Sequence, residues 1–311
     1  MRLAMLAVMG GMLTAALAVP NAFGDRAVLF AVAYAFVRLM QVVLFGIAAR
    51  KMDGLMPALV RFARSATVGP IIILVGALSG FVPLEAWWAT ALLFEFGTMY
   101  LNMSGWRVSA SHFSERHGLI FIIALGEAVI SIGIGAHSLT LYEGVLIPAL
   151  LGLGVIVALW WTYFDVNALA AERRLASVRG TERSELSRDA YTYLHLPMVI
   201  GAIFFSLGVK MTLAHTDEVL QTIPAAALCG GLVLYLLGQI GFRMRCGGSL
   251  AKARVLAVLA LAALFSASGL ITALALLSAV SLSFALLIAW ETVAQRESRR
   301  LIRSDEEATW S

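Results

Sequence analysis

Three charged side chains fall in the middle of apolar stretches: Arg38, Glu95 and Glu127. A charge at the centre of a bilayer costs about 2.5–3.5 kcal/mol on insertion scales, so such residues are kept for function or for tight pairing. An arginine beside two carboxylates can neutralise one and leave the other to take up a proton or bind a cation. The competing reading is a buried ion pair that fixes helix register. Two carboxylates against one guanidinium tilt the balance towards function. Tyr34, Gln41, Tyr100, Asn102, Tyr235 and Gln239 are candidates to line the same polar centre, although each alone reads more simply as an interhelical hydrogen bond or interface anchor. Lys210, Glu85, Asp165, Glu291 and His195 lie near the ends of apolar stretches, where charges are ordinary, and Lys210 can snorkel to the surface.

The elements that position these groups follow from composition. Sixty per cent of the 311 residues are hydrophobic, 14% are charged and the mean hydropathy is +0.88. A soluble core cannot hide that much apolar surface. A helix needs roughly 20 apolar residues to cross a bilayer. The pattern predicts ten spans, at 3–20, 27–49, 65–83, 84–105, 118–136, 144–164, 194–214, 222–242, 253–270 and 272–292. The fold class is therefore all-α, a polytopic transmembrane helical bundle. At about 1.5 Å per residue, Arg38, Glu95 and Glu127 each lie roughly 14–17 Å deep, near the midplane. The last apolar block is too long for one helix, and Ser266, Ser268 and Gly269 mark a turn within it.

Orientation comes from the cations. All Lys and Arg residues but Arg26, Arg38 and Lys210 fall in every second gap between spans. Excess Lys and Arg on short loops marks the cytoplasmic side. Both termini are thus expected in the cytoplasm, in a multi-pass protein of the cell inner membrane. The bilayer and its anionic headgroups at the inner face are the expected partners, rather than nucleic acid. Residues 1–292 read as the transmembrane domain and 293–311 as a tail that is basic and then acidic. The first span reads as a retained helix; its alternative is a signal peptide. The longest polar stretch, 165–193, reads as a short amphipathic helix or a solvated linker.

His112, Glu115 and His117 are spaced poorly for one helix face and lack a fourth ligand, so no metal and no cofactor is expected. Ser114 is read instead as a helix cap, with Glu115 in the first turn. Cys229 within a span and Cys246 in a loop do not suggest a disulfide. Gly10-Gly11, Gly152-x-Gly154, Gly230-Gly231, Ala124-xxx-Ala128 and Ser131-xxx-Gly135 read as helix-packing positions. Pro70, Pro148, Pro197 and Pro224 are placed near span ends or in early turns, where they cost little.

From Ser114 the chain reads Ser-Glu-Arg-His-Gly-Leu-Ile-Phe-Ile-Ile-Ala-Leu-Gly-Glu-Ala-Val-Ile130. This stretch resembles the signature of the bacterial low temperature requirement A family, with Glu115, Arg116, Gly118, Gly126 and Glu127 matching position by position. Phe23-Gly-Asp-Arg-Ala, Tyr34-Ala-Phe-Val-Arg38 and Arg188-Asp-Ala-Tyr-Thr-Tyr-Leu-His-Leu-Pro197 are similar to the family in the same order. An earlier acidic, Glu-Leu-Phe-Phe-Asp-like motif of the family has no counterpart here, so the chain looks like the family without its first helices. The resemblance implies a bacterial inner-membrane protein linked to growth at low temperature, and no particular reaction.

Three functions follow from these readings. The first is a transporter or channel-like protein whose path passes Arg38, Glu95 and Glu127. The second is a non-catalytic structural or regulatory membrane protein. The third, a membrane-embedded enzyme acting on lipid, lacks a nucleophile–base pair and an acidic pair for Mg²⁺, so the chain is not expected to be an enzyme.

Overall fold

Lipid offers no partner to a bare peptide group, so a chain this apolar must satisfy its backbone within helices. The computed structural model describes residues 2–50, 56–80, 82–101, 109–137, 143–294 and 296. Among the described residues every regular element is helical, and the one extended contact is an isolated bridge between Val219 and Thr272. Nine helical segments among the described residues are long and apolar enough to cross a membrane. The remaining expected crossing, at 84–105, is present as the helix Leu84–Leu101, whose Glu85 and Glu95 lower its hydropathy. The tail beyond residue 296, together with Lys51, Asn102, Trp106 and Arg107, lies outside the described residues. The chain divides into two compact units, Met1–Arg107 and Val108–Ser311.

In the first unit α1 (Arg2–Ala18), α2 (Ala27–Ala49), α3 (Met56–Ser79) and α4 (Leu84–Leu101) each pack on the next. Gly11 lets α1 approach α2, because a Cβ there would meet Phe36 Cδ1 at 2.8 Å and Val37 Cγ2 at 2.9 Å. Gly76 of α3 likewise makes room for the Trp87 ring of α4. Ala31, Ile73 and Ala91 form the small core. The α3 helix starts earlier than the expected 65. Met56, Ala58, Leu59 and Val60 carry helical apolar spacing through Arg61 and Arg64, whose long stems can lie along the helix. Pro70 is consequently an interior residue of α3 and not an early-turn one, and the N–H it lacks leaves the Ala66 carbonyl without its helical donor.

The second unit is built around α9. Its helices are α5 (Ala110–His137), α6 (Glu143–Phe164), α7 (Asn167–Ser177), α8 (Gly180–Leu186), α9 (His195–Ala214), α10 (Thr222–Ala225), α11 (Gly231–Arg245), α12 (Lys252–Ala267) and α13 (Ala273–Ala294). Wider π-helical turns, Ser187–Leu194 and Ala226–Gly230, lead into α9 and α11. Helix α9 packs on α5, α6 and α11. A Cβ on Gly208 would lie 2.6 Å from the Leu228 backbone, and one on Gly231 would lie 2.7 Å from the Gly201 carbonyl oxygen. Small residues thus bring backbones together where lipid offers no hydrophobic drive for helix association. One glycine of each expected pair packs (Gly11, Gly152 and Gly231), while Gly10, Gly154 and Gly230 face open space.

Of the two readings of residues 165–193, the amphipathic helix is the one the fold shows. Ala171 and Leu175 of α7, with Leu186 and Tyr191 beyond it, are buried in the core of the second unit. The turn within the last apolar block is the 3₁₀ segment Ser268–Leu270. Ser114 does not cap α5, which begins at Ala110. It sits buried in the second turn, where its hydroxyl accepts a 3.4 Å hydrogen bond from Tyr191 Oη. Its local sequence suits a cap, but Ala110–Phe113 extend the helix by one turn and Tyr191 covers the site.

Candidate functional site

The first unit joins Arg38 of α2 to Glu95 of α4. The guanidinium Nη2 lies 3.5 Å from Glu95 Oε1, with each side chain 20% exposed. Tyr34, one turn before Arg38, donates its hydroxyl across both carboxylate oxygens at 3.0 and 3.1 Å. Gln41 Oε1 accepts from Arg38 Nη1 at 3.5 Å. The Tyr34 and Phe62 rings flank the guanidinium, with its carbon 6.0 and 5.9 Å from their centroids. Gly69 of α3 completes the arrangement, because a Cβ there would occupy the position of the Glu95 carboxylate.

Arginine has five N–H donors to satisfy. Here the contacts to Glu95 and Gln41 are both long, and the buried Nε has no hydrogen-bond partner among the described residues. Among the described residues the Arg38–Glu95 centre is therefore paired in charge but incomplete in hydrogen bonds.

Glu127 lies in the second unit, exposed on α5 next to an exposed Gly126. The first unit forms the Arg38–Glu95 pair by itself. The family-like residues of α5 separate by face. Gly118 is buried, with a Cβ there 3.3 Å from Phe164 Cε1, whereas Glu115 and Arg116 are exposed. Gly126 lines a shallow apolar groove of about 360 Å³ with Leu125, Val129, Leu153 and Trp160.

The second unit holds an ion pair that the sequence placed at span ends. Arg254, in the first turn of α12, donates Nε to Glu291 Oε1 at 2.7 Å and Nη2 to Oε2 at 3.0 Å. Glu291 is in the last turns of α13, and the side chains are only 3% and 5% exposed. Arg254 Nη1 donates to Gln239 Oε1 at 2.9 Å, and Nη2 also reaches the Thr162 carbonyl at 3.4 Å. That carbonyl belongs to the C-terminal turn of α6, the negative end of its helix dipole. Asn167 Nδ2 donates to the same carbonyl at 2.7 Å and to Gln239 Oε1 at 3.1 Å. Gln239 Nε2 in turn donates to Tyr235 Oη at 2.9 Å, which donates to the Leu159 carbonyl at 2.8 Å. Tyr235 and Gln239, read from sequence as possible cavity lining, are instead links in this sealed network. It ties α6, α7, α11, α12 and α13 together, and a second charge cluster lies on Asp189. Asp189 accepts from Arg188 Nε at 2.7 Å and from Arg245 Nε at 2.9 Å.

His112 and His117, considered together for metal, part company. His112 lies exposed 3.8 Å from Glu115, while His117 Nδ1 donates to the Phe113 carbonyl at 2.8 Å. His117 packs against His195, whose Nε2 donates to the His117 carbonyl at 3.1 Å. His195, read from sequence as merely terminal, is buried within rings of Phe121 and Tyr163.

Apolar helices with charges drawn into interhelical pairs define a multi-pass α-helical membrane protein. The chain belongs to the bacterial low temperature requirement A family, which it matches over residues 1–290. It is also similar to an uncharacterized protein of Rhizobium meliloti, 27% identical over 301 residues that cover 92% of this chain and 72% of that one. No solved structure matches it.

Proposed function

We propose that this protein passes an ion or small polar solute across the bacterial inner membrane, with Arg38 and Glu95 as its polar centre and Glu127 as a separate intramembrane carboxylate. Both termini face the cytoplasm in this reading, and the basic end of the second unit meets anionic headgroups. The observation that carries it is the incompleteness of the Arg38–Glu95 pair. A charge pair kept only for register gains most when its donors are closely matched, as around Arg254, where four of the five N–H donors have partners and three of these bonds are 2.7–3.0 Å. Around Arg38 two contacts are 3.5 Å long, the buried Nε has no partner among the described residues, and each side chain of the ion pair is 20% exposed. That leaves donors for a solute, and a carboxylate that can exchange partners. Reconstituted proteoliposomes test it by flux of protons, alkali cations and small organic ions in wild type, Glu95→Gln and Glu127→Gln. Flux that falls at least tenfold in Glu95→Gln supports the reading. Equal flux in all three, or none above empty vesicles, overturns it.

The structural or regulatory reading has its own support, the Arg254 network, which clamps helix ends together. It expects the exchanged pair Arg38→Glu with Glu95→Arg to restore growth in the cold, whereas transport through the centre expects that exchange to fold and still fail.

A further inference from the structure

We propose that the groove between α12 and α13 is a binding site for one anionic glycerophospholipid of the surrounding bilayer, with an acyl chain in the groove and the headgroup phosphate at Lys252. The groove encloses about 440 Å³, and its walls are Leu256, Ala260, Leu286 and Trp290, with Ser283 beside them. Along its length it is apolar, and its outer rims, Leu256, Leu286 and Trp290, are exposed. This suits an acyl chain and nothing charged. Lys252 closes one end.

Charge decides which headgroup sits there. The carboxylate next to Trp290 is Glu291, and both of its oxygens are taken by Arg254. Its negative charge is thereby neutralised inside the protein, and the exposed Lys252 stands at the mouth with no carboxylate partner among the described residues. Trp290 sits at the same end, where an indole favours the headgroup level. The site thus combines an apolar slot, an interfacial ring and one positive charge. That combination matches a lipid with a net negative phosphate group better than a zwitterionic one, whose own ammonium would face Lys252. A second copy of the chain would bring another apolar helix face into the slot and gain nothing from Lys252.

Fluorescence quenching by brominated lipids tests the assignment on the full chain in nanodiscs. Subtracting the signal of Trp290→Phe isolates Trp290 from the other tryptophans. Brominated phosphatidylglycerol in a phosphatidylcholine background is expected to quench Trp290 half-maximally at several-fold lower mole fraction than brominated phosphatidylcholine. Lys252→Gln should move the phosphatidylglycerol curve onto the phosphatidylcholine one, Lys252→Arg should preserve the difference, and Ala260→Phe should weaken quenching by both. Coincident curves in wild type, or a preference that survives Lys252→Gln, overturn the proposal. So does protection of Trp290 from both lipids together with disulfide dimers from Leu286→Cys, which would assign the slot to a second copy.

Discussion

Arg254 and Glu291 stand 37 residues apart and face each other through two parallel hydrogen bonds of 2.7 and 3.0 Å, sealed from solvent. With Gln239 and the Thr162 carbonyl counted, this two-pronged geometry engages four of the five N–H donors of Arg254. Removing one partner strands the other charge in the core, which costs about 3–5 kcal/mol. Arg254→Ala and Glu291→Ala should each lower the thermal midpoint of the detergent-solubilised protein sharply. The joint replacement Arg254→Met with Glu291→Leu should recover most of the loss, because no charge is left unpaired. Single variants that unfold with the wild type would show that the pair contributes nothing.

How these two charge pairs could be read from the sequence depends on depth. Arg38 and Glu95 announced themselves, because hydropathy places them far from either end of a span. Arg254 and Glu291 fall in the first and last turns of their helices, where sequence gives charges a ready exit to water. Only the packing of α6, α7, α11 and α13 over them removes that exit. Depth was also all that hydropathy could say of Glu127; its face on α5 is set by which side packs, and α5 turns it outward. The early start of α3 was hidden by Arg61 and Arg64, which look like loop residues until their stems are laid along the helix. The packing of residues 165–193 was legible in part. Ala171 and Leu175 carry helical spacing, but the π-helical turn after α8, which swings Tyr191 onto Ser114, leaves no pattern in the sequence.

Gly208 sets how closely α9 meets the π-helical turn before α11. A methyl there would lie 2.6 Å from the Leu228 Cα and nitrogen, which are backbone and cannot swing aside. Gly208→Ala should cost about 1–3 kcal/mol by overpacking. Gly154→Ala, where a Cβ meets nothing within 4 Å, should be neutral to stabilising by up to about 1 kcal/mol. Thermal midpoints of the two variants decide the matter, and equal values would mean that the helices part without cost.

Cys246, just beyond α11, offers a check on burial outside the membrane-spanning segments. Burial pushes its thiol up to about 11, against the pull of the Arg245 and Arg174 guanidiniums. Only the thiolate reacts with maleimides, and each pH unit below the pKa cuts its share about tenfold. Labelling of the folded protein at neutral pH should be about a hundredfold slower than that of an ordinary thiol, and its rate should climb tenfold per unit to beyond pH 10. A rate that levels off near pH 9 would mean that the thiol is solvated. Cys229, fully buried, should label only after unfolding.

Gly69 gives the most direct handle on the Arg38–Glu95 centre without touching either charge. A methyl at that position would occupy the space of the Glu95 carboxylate, which is the free end of a flexible side chain and can move. Gly69→Ala should therefore evict the carboxylate from Tyr34 and Arg38 while leaving α3 and α4 folded, since alanine favours the helix more than glycine by about 1 kcal/mol. Thermal stability should stay within about 1 kcal/mol of wild type, because the Arg38–Glu95 contact is long and partly exposed and the helix preference of alanine offsets the lost Tyr34 hydrogen bond. Proteoliposome flux should nevertheless fall about as far as in Glu95→Gln if the centre carries transport. Flux that stays intact while the carboxylate is displaced, seen as loss of the Tyr34–Glu95 contact in a structure of the variant, would remove Glu95 from the path.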